Sequence, residues 1–213
     1  MTKNVFLSVG GTANEAQEKF VAALEARLRA EGLVPNTVGR NTFSADAPLK
    51  TVENLMSSCD GTIVLALERT LLERGVERRG GPKERALSGV RFATPWNQIE
   101  AAMSYAYGKP LLVIVEDGVK AEGLLEPGYD WYVQSVPLET ASLNSIEFNG
   151  VLASWKQKIS ALPGKEKPAA PSPGDMTIAE LVGAMKPKQL WSLIGVASGV
   201  VAGAFAFGAK LLP

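Results

Sequence analysis

"TPWNQIEAAMSYAYGKPLLVIVE" (residues 94–116) holds a helix start, a helix and a buried strand within 23 residues. Thr94 fits an N-cap, and Pro95 fits the first helical position, where its missing N–H would have no partner anyway. Gly108-Lys109-Pro110 ends the helix, and "LLVIV" follows as an apolar run of strand length. Between Thr94 and Lys109 a single residue, Glu100, carries charge. A helix that is apolar almost all round and feeds straight into an apolar strand belongs to the interior of an α/β domain.

The alternation continues on both sides. Residues 4–9, NVFLSV, read as a strand, and residues 14–31 as a helix with Phe20, Ala23, Leu24 and Leu28 on one face. Gly32 is the stop signal. "LVPNTVG" (33–39) reads as a second strand, residues 49–59 as a second helix, and "GTIVLAL" (61–67) as a strand covered on both faces. "WYVQSVPLE" (131–139) is expected as an edge strand and residues 143–162 as a closing amphipathic helix. Strands alternating with helices predict a flavodoxin-like parallel sheet with helices on both faces, spanning residues 1–162. Residues 69–93 interrupt the pattern with an arginine-rich insertion too long for an ordinary connection. It reads equally as a phosphate-facing lid or as a solvated loop.

The remainder of the chain has a different composition. Residues 163–175 hold four prolines and two glycines, an extended tether. Residues 176–189 read as a short amphipathic juxtamembrane segment, and residues 190–210 as a transmembrane helix. Within that span, 20 consecutive residues (190–209) carry no charge, a length of roughly 30 Å as a helix, which matches a bilayer core. Lys165, Lys167, Lys186 and Lys188 precede this uncharged run and Lys210 follows it. Positive-inside bias then predicts a cytoplasmic N-terminal domain held by a single-pass C-terminal anchor in the cell membrane. The opening "MTKNVFLSVGG" has too short an apolar run for a signal peptide, which agrees with that orientation. Gly195, Gly199 and Gly203 recur every four residues, a small-residue face that lets helices pack in lipid, so a homo-oligomer is expected.

Composition narrows the chemistry. The 213 residues include 22 Lys+Arg and 22 Asp+Glu, so no global charge points to nucleic acid. There is no histidine and one cysteine, Cys59. Histidine bases, His-ligated metals, cysteine zinc sites and intrachain disulfides are thereby excluded. No metal and no cofactor are expected.

Two stretches resemble the TIR domain family. "NVFLSVGGTANEAQEKFVAALEARLRAEGL" (4–33) looks like the first TIR strand, loop and helix. "TPWNQIE" (94–100) looks like the TIR motif Ser-x-Trp-Cys-x-x-Glu, with Thr94, Trp96, Asn97 and Glu100 at its four positions. "CDGTIVLAL" (59–67) followed by "IEAAMSYAYGKPLLVI" (99–114) is also similar to the nucleoside 2-deoxyribosyltransferases, whose helix carries a nucleophilic glutamate at the same place. The resemblance covers roughly residues 3–160. It implies a TIR-like fold, a catalytic role for Glu100 in cleaving NAD, and a nucleotide as small-molecule partner, with NAD as substrate and not as cofactor. It also implies membership of bacterial antiviral defence.

The residues give Glu100 a second line of support. It stands at the sixth helical position, past the turn where a helix dipole rewards a carboxylate. Trp96, Met103 and Tyr107 surround it on its face of the helix, so partial desolvation and a raised pKa are expected. In a doubly wound sheet, ligands bind at the carboxyl ends of strands near the switch point. That brings together Gly10, Gly11 and Thr12 after the first strand, Arg40, Asn41 and Phe43 after the second, Arg69 after the third, and Trp96 and Asn97 on the helix. Two other functions fit the same layout. One is a nucleotide-signal sensor whose transmembrane helices oligomerise to disrupt the membrane, and the other is a scaffold assembling through TIR-like contacts.

Overall fold

The computed structural model describes residues 2–161. Its elements run β1 (Lys3–Val9), α1 (Glu15–Ala30), β2 (Leu33–Asn36), α2 (Pro48–Ser58), β3 (Gly61–Ala66), β4 (Thr70–Glu77), β5 (Arg85–Phe92), α3 (Pro95–Ala106), β6 (Leu111–Glu116), β7 (Tyr132–Val136) and α4 (Ile146–Ala161). Five strands form a sheet in the order β2-β1-β3-β6-β7, and every neighbouring pair is parallel. The chain steps from β1 outward to β2, then crosses back over β1 to β3. The switch point therefore lies between β1 and β3, as in flavodoxin-like sheets.

Strand pleating divides the core into two layers. On one face Val5 and Leu7 of β1, Ile63 and Leu65 of β3, and Leu112 and Ile114 of β6 pack against Phe20, Leu24 and Leu28 of α1 and Phe148, Leu152 and Trp155 of α4. On the other, Phe6 meets Val52 and Met56 of α2, and Val64, Ala66, Val113 and Val115 meet Ala101 of α3. All of β3 is buried, which accounts for its unbroken apolar run. A Cβ on Gly61 would stand 3.0 Å from the side chains of Ile159 and Trp155, so glycine here permits α4 to lie close on the sheet.

Boundaries depart from sequence expectation where particular atoms intervene. β2 stops at Asn36, because Pro35 cannot donate to a ladder and the Asn41 side chain takes over the next backbone groups. Its Oδ1 accepts from Thr37 N at 2.7 Å and its Nδ2 donates to Pro35 O at 2.9 Å. The closing helix begins at Ile146 and not at 143, after a 3-10 turn over Thr140–Asn144. Ser145 Oγ accepts from Phe148 N at 3.1 Å and serves as its cap.

The insertion is not an open loop. β4 and β5 form an antiparallel hairpin separate from the main sheet, closed by residues 78–84, which include Gly80 in the left-handed region (φ 76°). Three ion pairs hold it to itself and to nearby loops: Arg85 with Glu77, Arg91 with Glu68, and Lys120 with Glu77. The tether, the juxtamembrane segment and the expected span at 190–210 lie outside the described residues. Among the described residues no helix is long and apolar enough to cross a membrane.

Candidate active site

Three chain segments converge at the carboxyl ends of β1 and β3, beside the switch point. Val9, Gly10 and Gly11 arrive from β1, Arg69 from β3, and Thr94, Trp96 and Glu100 from α3. Val38, Pro48 and Val52 close the remaining side of a cavity of about 280 Å³. The Thr94 hydroxyl accepts from Trp96 N at 3.4 Å as the cap of α3. A Cβ on Gly10 would come 3.0 Å from the Thr94 methyl group, so glycine at this position lets the first loop press against that cap.

Glu100 is the carboxylate of this cavity and is 8% exposed. Burial pushes its pKa up to about 7, and a hydrogen bond with the Ser8 side chain opposes the rise without cancelling it. No lysine or arginine among the described residues forms an ion pair with it. Near neutral pH it exists as a mixture of acid and carboxylate, ready to accept or neutralise positive charge.

Beneath it, Asn97 is fully buried. Its Nδ2 lies 2.9 Å from Ser8 Oγ, 3.4 Å from Ser8 O and 3.4 Å from Leu65 O, spanning β1 and β3. Its Oδ1 is buried without a partner, an arrangement that costs about 1–3 kcal/mol. Asn97 therefore does not line the cavity; it ties β1 to β3 beneath it.

Arg69 lines the cavity from the base of the hairpin. Its backbone N donates to Phe92 O at 2.8 Å, and its Nη1 donates to Gly11 O at 3.3 Å. It has no carboxylate partner among the described residues, and its charge remains available to an anion. Trp96 is 40% exposed and lines the cavity instead of packing into the core.

The other expected contacts lie elsewhere. Arg40 is bound by two carboxylates of α1, Glu18 at 2.6 Å and Glu25 at 2.7 Å, which ties the loop after β2 onto that helix. Thr12 donates to Glu18 Oε2 at 2.9 Å in the same cluster. Asn41 spends its side chain on the turn after β2. Phe43 is 77% exposed and lines no part of the cavity. Sequence reasoning overlooked Ser8, whose signal was a hydroxyl inside the apolar strand "VFLSV", and the wall residues Val38, Pro48 and Val52, which have no distinctive signal.

A second buried amide, Gln17, joins neighbouring segments. Gln17 Nε2 donates to Glu68 O at 2.9 Å, and Glu116 Oε2 accepts from Glu68 N at 2.8 Å. The start of α1, the segment after β3 and the end of β6 are thus fastened together. Among the described residues no group of acidic, histidine or cysteine side chains could hold a metal ion.

No protein-family model matches the chain, and no curated protein does. Solved structures align with it at low similarity. A CMP N-glycosidase of Clostridium botulinum, BcmB, aligns over 66% of this chain and 93% of its own, with 18% identity and a TM-score of 0.42. The Flv1 flavodiiron core of Synechocystis aligns over 75% of this chain and 36% of its own, with 13% identity and a TM-score of 0.42. A β-glucosidase of Erythrobacter marinus aligns over 70% and 25%, with 12% identity and a TM-score of 0.38. At these scores the likeness says nothing about activity.

Proposed function

We propose that the domain cleaves the N-glycosidic bond of a nucleotide, with NAD as the first substrate to test and Glu100 as the catalytic residue. The observation that carries this reading is a buried carboxylate without a cationic partner, lining a cavity at the switch point of the sheet. Nicotinamide leaves NAD as a neutral molecule from a positively charged N-glycoside. Its departure takes the bonding electron pair and needs no general acid, so one carboxylate suffices. Glu100 would neutralise the oxocarbenium charge growing on the ribose, by ion pairing or by covalent capture of C1′. Water then adds at C1′, giving ADP-ribose, nicotinamide and a proton. Glycoside cleavage with an oxygen leaving group generally uses two carboxylates, whereas this cavity offers one and contains no histidine.

Arg69 and the loop at Gly10 and Gly11 are suited to the nucleotide's phosphates, since a guanidinium beside exposed backbone suits an oxyanion. Trp96 offers a ring face on which a base can stack. Residues 190–210 would hold the domain to the cytoplasmic face of the membrane, and packing of their glycine face would gather copies together. A role in antiviral defence rests on the TIR resemblance alone. Purified full-length protein incubated with NAD should release nicotinamide, and Glu100→Gln should abolish the release while the variant remains folded. Equal release by the folded variant would refute the assignment.

A further inference from the structure

Two surface features find no partner among the described residues: a basic hairpin tip and an acidic, aromatic patch. Residues 70–92 hold six Lys+Arg and three Asp+Glu, whereas the rest of residues 2–161 holds 11 and 16. The hairpin is thus a positive arm on a negative body. Its tip, residues 78–84, exposes Arg78, Arg79 and Lys83. Arg79 and Lys83 form no ion pair among the described residues, and the Glu84 carboxylate accepts from Gly80 N at 2.5 Å.

The patch is built on stacked rings. Trp131 lies parallel to Tyr129 with centroids 4.6 Å apart and meets Tyr105 edge-on at 5.3 Å. Its Nε1 donates to Leu124 O at 3.0 Å, which fixes the indole in place. Tyr105 and Tyr129 are nevertheless 51% and 57% exposed. The Tyr105 hydroxyl donates to Asp130 Oδ2 at 3.5 Å, and Glu126 stands exposed on the same loop. Neither carboxylate forms an ion pair among the described residues. A rigid ring face beside carboxylates suits a guanidinium, which stacks on the ring and donates to the acid. The groove beside Trp131 carries Lys109 and Lys158, and Lys109 donates to Cys59 O at 2.7 Å. Those lysines leave the Tyr129 and Glu126 side as the approach for an arginine.

Arm and patch belong to opposite ends of one domain. The hairpin is rooted between the carboxyl end of β3 and the start of α3. The patch lies at the last turn of α3 and just before β7, the amino-terminal end of the same parallel sheet. The hairpin also curls back on its own end. Lys120 Nζ, in the loop after β6, is 5.4 Å from the Phe92 ring at the root and 3.9 Å from Glu77 Oε1 at the far end.

We propose that the hairpin tip of one copy docks on the Tyr129–Trp131 patch of a second copy, head to tail. The arginines of the tip stack on the exposed ring face, and Asp130 and Glu126 answer their charge. Arginine, tyrosine and tryptophan are the residues that most often carry interface energy. A lipid or nucleic-acid polyanion would satisfy the arm and leave the patch unused, whereas a second copy of this chain accounts for both. Because arm and patch are different surfaces, the contact is heterologous and repeats from copy to copy. It does not depend on what Glu100 does.

Cysteine cross-linking tests it. Cys59 is buried and is the one cysteine of the chain, so introduced thiols report alone. Pro82→Cys marks the tip and Pro127→Cys the patch; both prolines are exposed, and every charged and aromatic group stays. Full-length copies carrying one variant each, with different affinity tags, are co-expressed and treated in intact cells with a short membrane-permeant bismaleimide. Dimer carrying both tags should form, with at least about tenfold less dimer from either variant alone, as a heterologous contact requires. Adding Glu126→Arg and Asp130→Arg to the Pro127→Cys copy should cut the two-tag product about tenfold through like-charge repulsion. Arg78→Glu and Arg79→Glu in the other copy should then restore it. The proposal is overturned by absence of two-tag product, by equal product from one variant alone, or by indifference to charge reversal. Equal product with Ile146→Cys in place of Pro127→Cys would also overturn it, since Ile146 is 94% exposed and lies on α4. A tip shielded from a water-soluble maleimide by phosphatidylglycerol vesicles or RNA, with no two-tag product, would assign the arm to a polyanion instead. The expected cross-link in a protein that releases no nicotinamide would defeat the proposed activity and leave this interface standing.

Discussion

Two clusters of polar side chains flank the first loop, and their chemistry is opposite. In one, Glu18 and Glu25 of α1 grip Arg40, and the guanidinium holds the Glu18 carboxyl below its ordinary range. In the other, Glu100 has a serine and no cation, and burial lifts it to about 7. Sequence reasoning assigned Arg40 and Glu100 to the same ligand. The difference is a matter of partners: a carboxylate whose charge is already answered stabilises a fold, and one whose charge is unanswered is available to a substrate.

The sharpest way to break this contrast is catalytic. Glu100→Gln should lower kcat/KM for nucleotide cleavage by about 10²–10³-fold or more, the scale expected for removing a group that stabilises transition-state charge. Glu18→Gln should leave it within about twofold, since Glu18 only anchors a loop. A large catalytic loss in Glu18→Gln would place Arg40 back at the ligand.

Stability supplies the second test, and its sign runs against intuition. Glu100 keeps its proton more firmly in the folded than in the unfolded state, so the folded state binds more protons between about pH 4.5 and 7. Stability contributed by this group is therefore full below pH 4.5 and is lost as pH rises through 7. At pH 8 Glu100→Gln should be more stable than wild type by on the order of 2–3 kcal/mol, and at pH 4 the two should be alike. Urea unfolding at both pH values measures this. A variant less stable than wild type at pH 8 would contradict the burial account.

The pH profile of activity is the third. Because the carboxylate form is the one that answers cationic charge, log kcat/KM should fall with decreasing pH below a midpoint near 7. A midpoint near 4.5 would mean a solvated glutamate. The smallest effects should come from the cavity walls. Trp96→Ala should raise KM by about 2–10-fold through lost stacking, whereas Phe43→Ala, outside the cavity, should not change it.

Much of this was legible in the chain. The apolar runs of β3 and β6, the Thr94-Pro95 start of α3 and the Gly32 stop each follow from a local rule, and together they define the parallel sheet. The hairpin was not legible, because β4 and β5 are largely exposed on both faces and so lack the period-two apolar pattern that betrays a half-buried strand. Glu100 stood out as a lone charge on an apolar helix. Arg40 is the converse case: a topology rule places the loop after β2 near a ligand, but it cannot reveal that two carboxylates of α1 pair with the guanidinium. Asn97 likewise fell within the motif, and only its three oxygen neighbours show that it faces the floor.

An unpartnered glutamate should suffice to break the N-glycosidic bond of a cationic nucleotide. The most direct measurement is nicotinamide released from NAD at pH 8 by the purified full-length protein, beside Glu100→Gln shown to be folded by its unfolding curve. Release by wild type, with loss of at least two orders of magnitude in the variant, is the result expected. Nicotinamide release that is the same in both proteins, or absent from wild type, would contradict it.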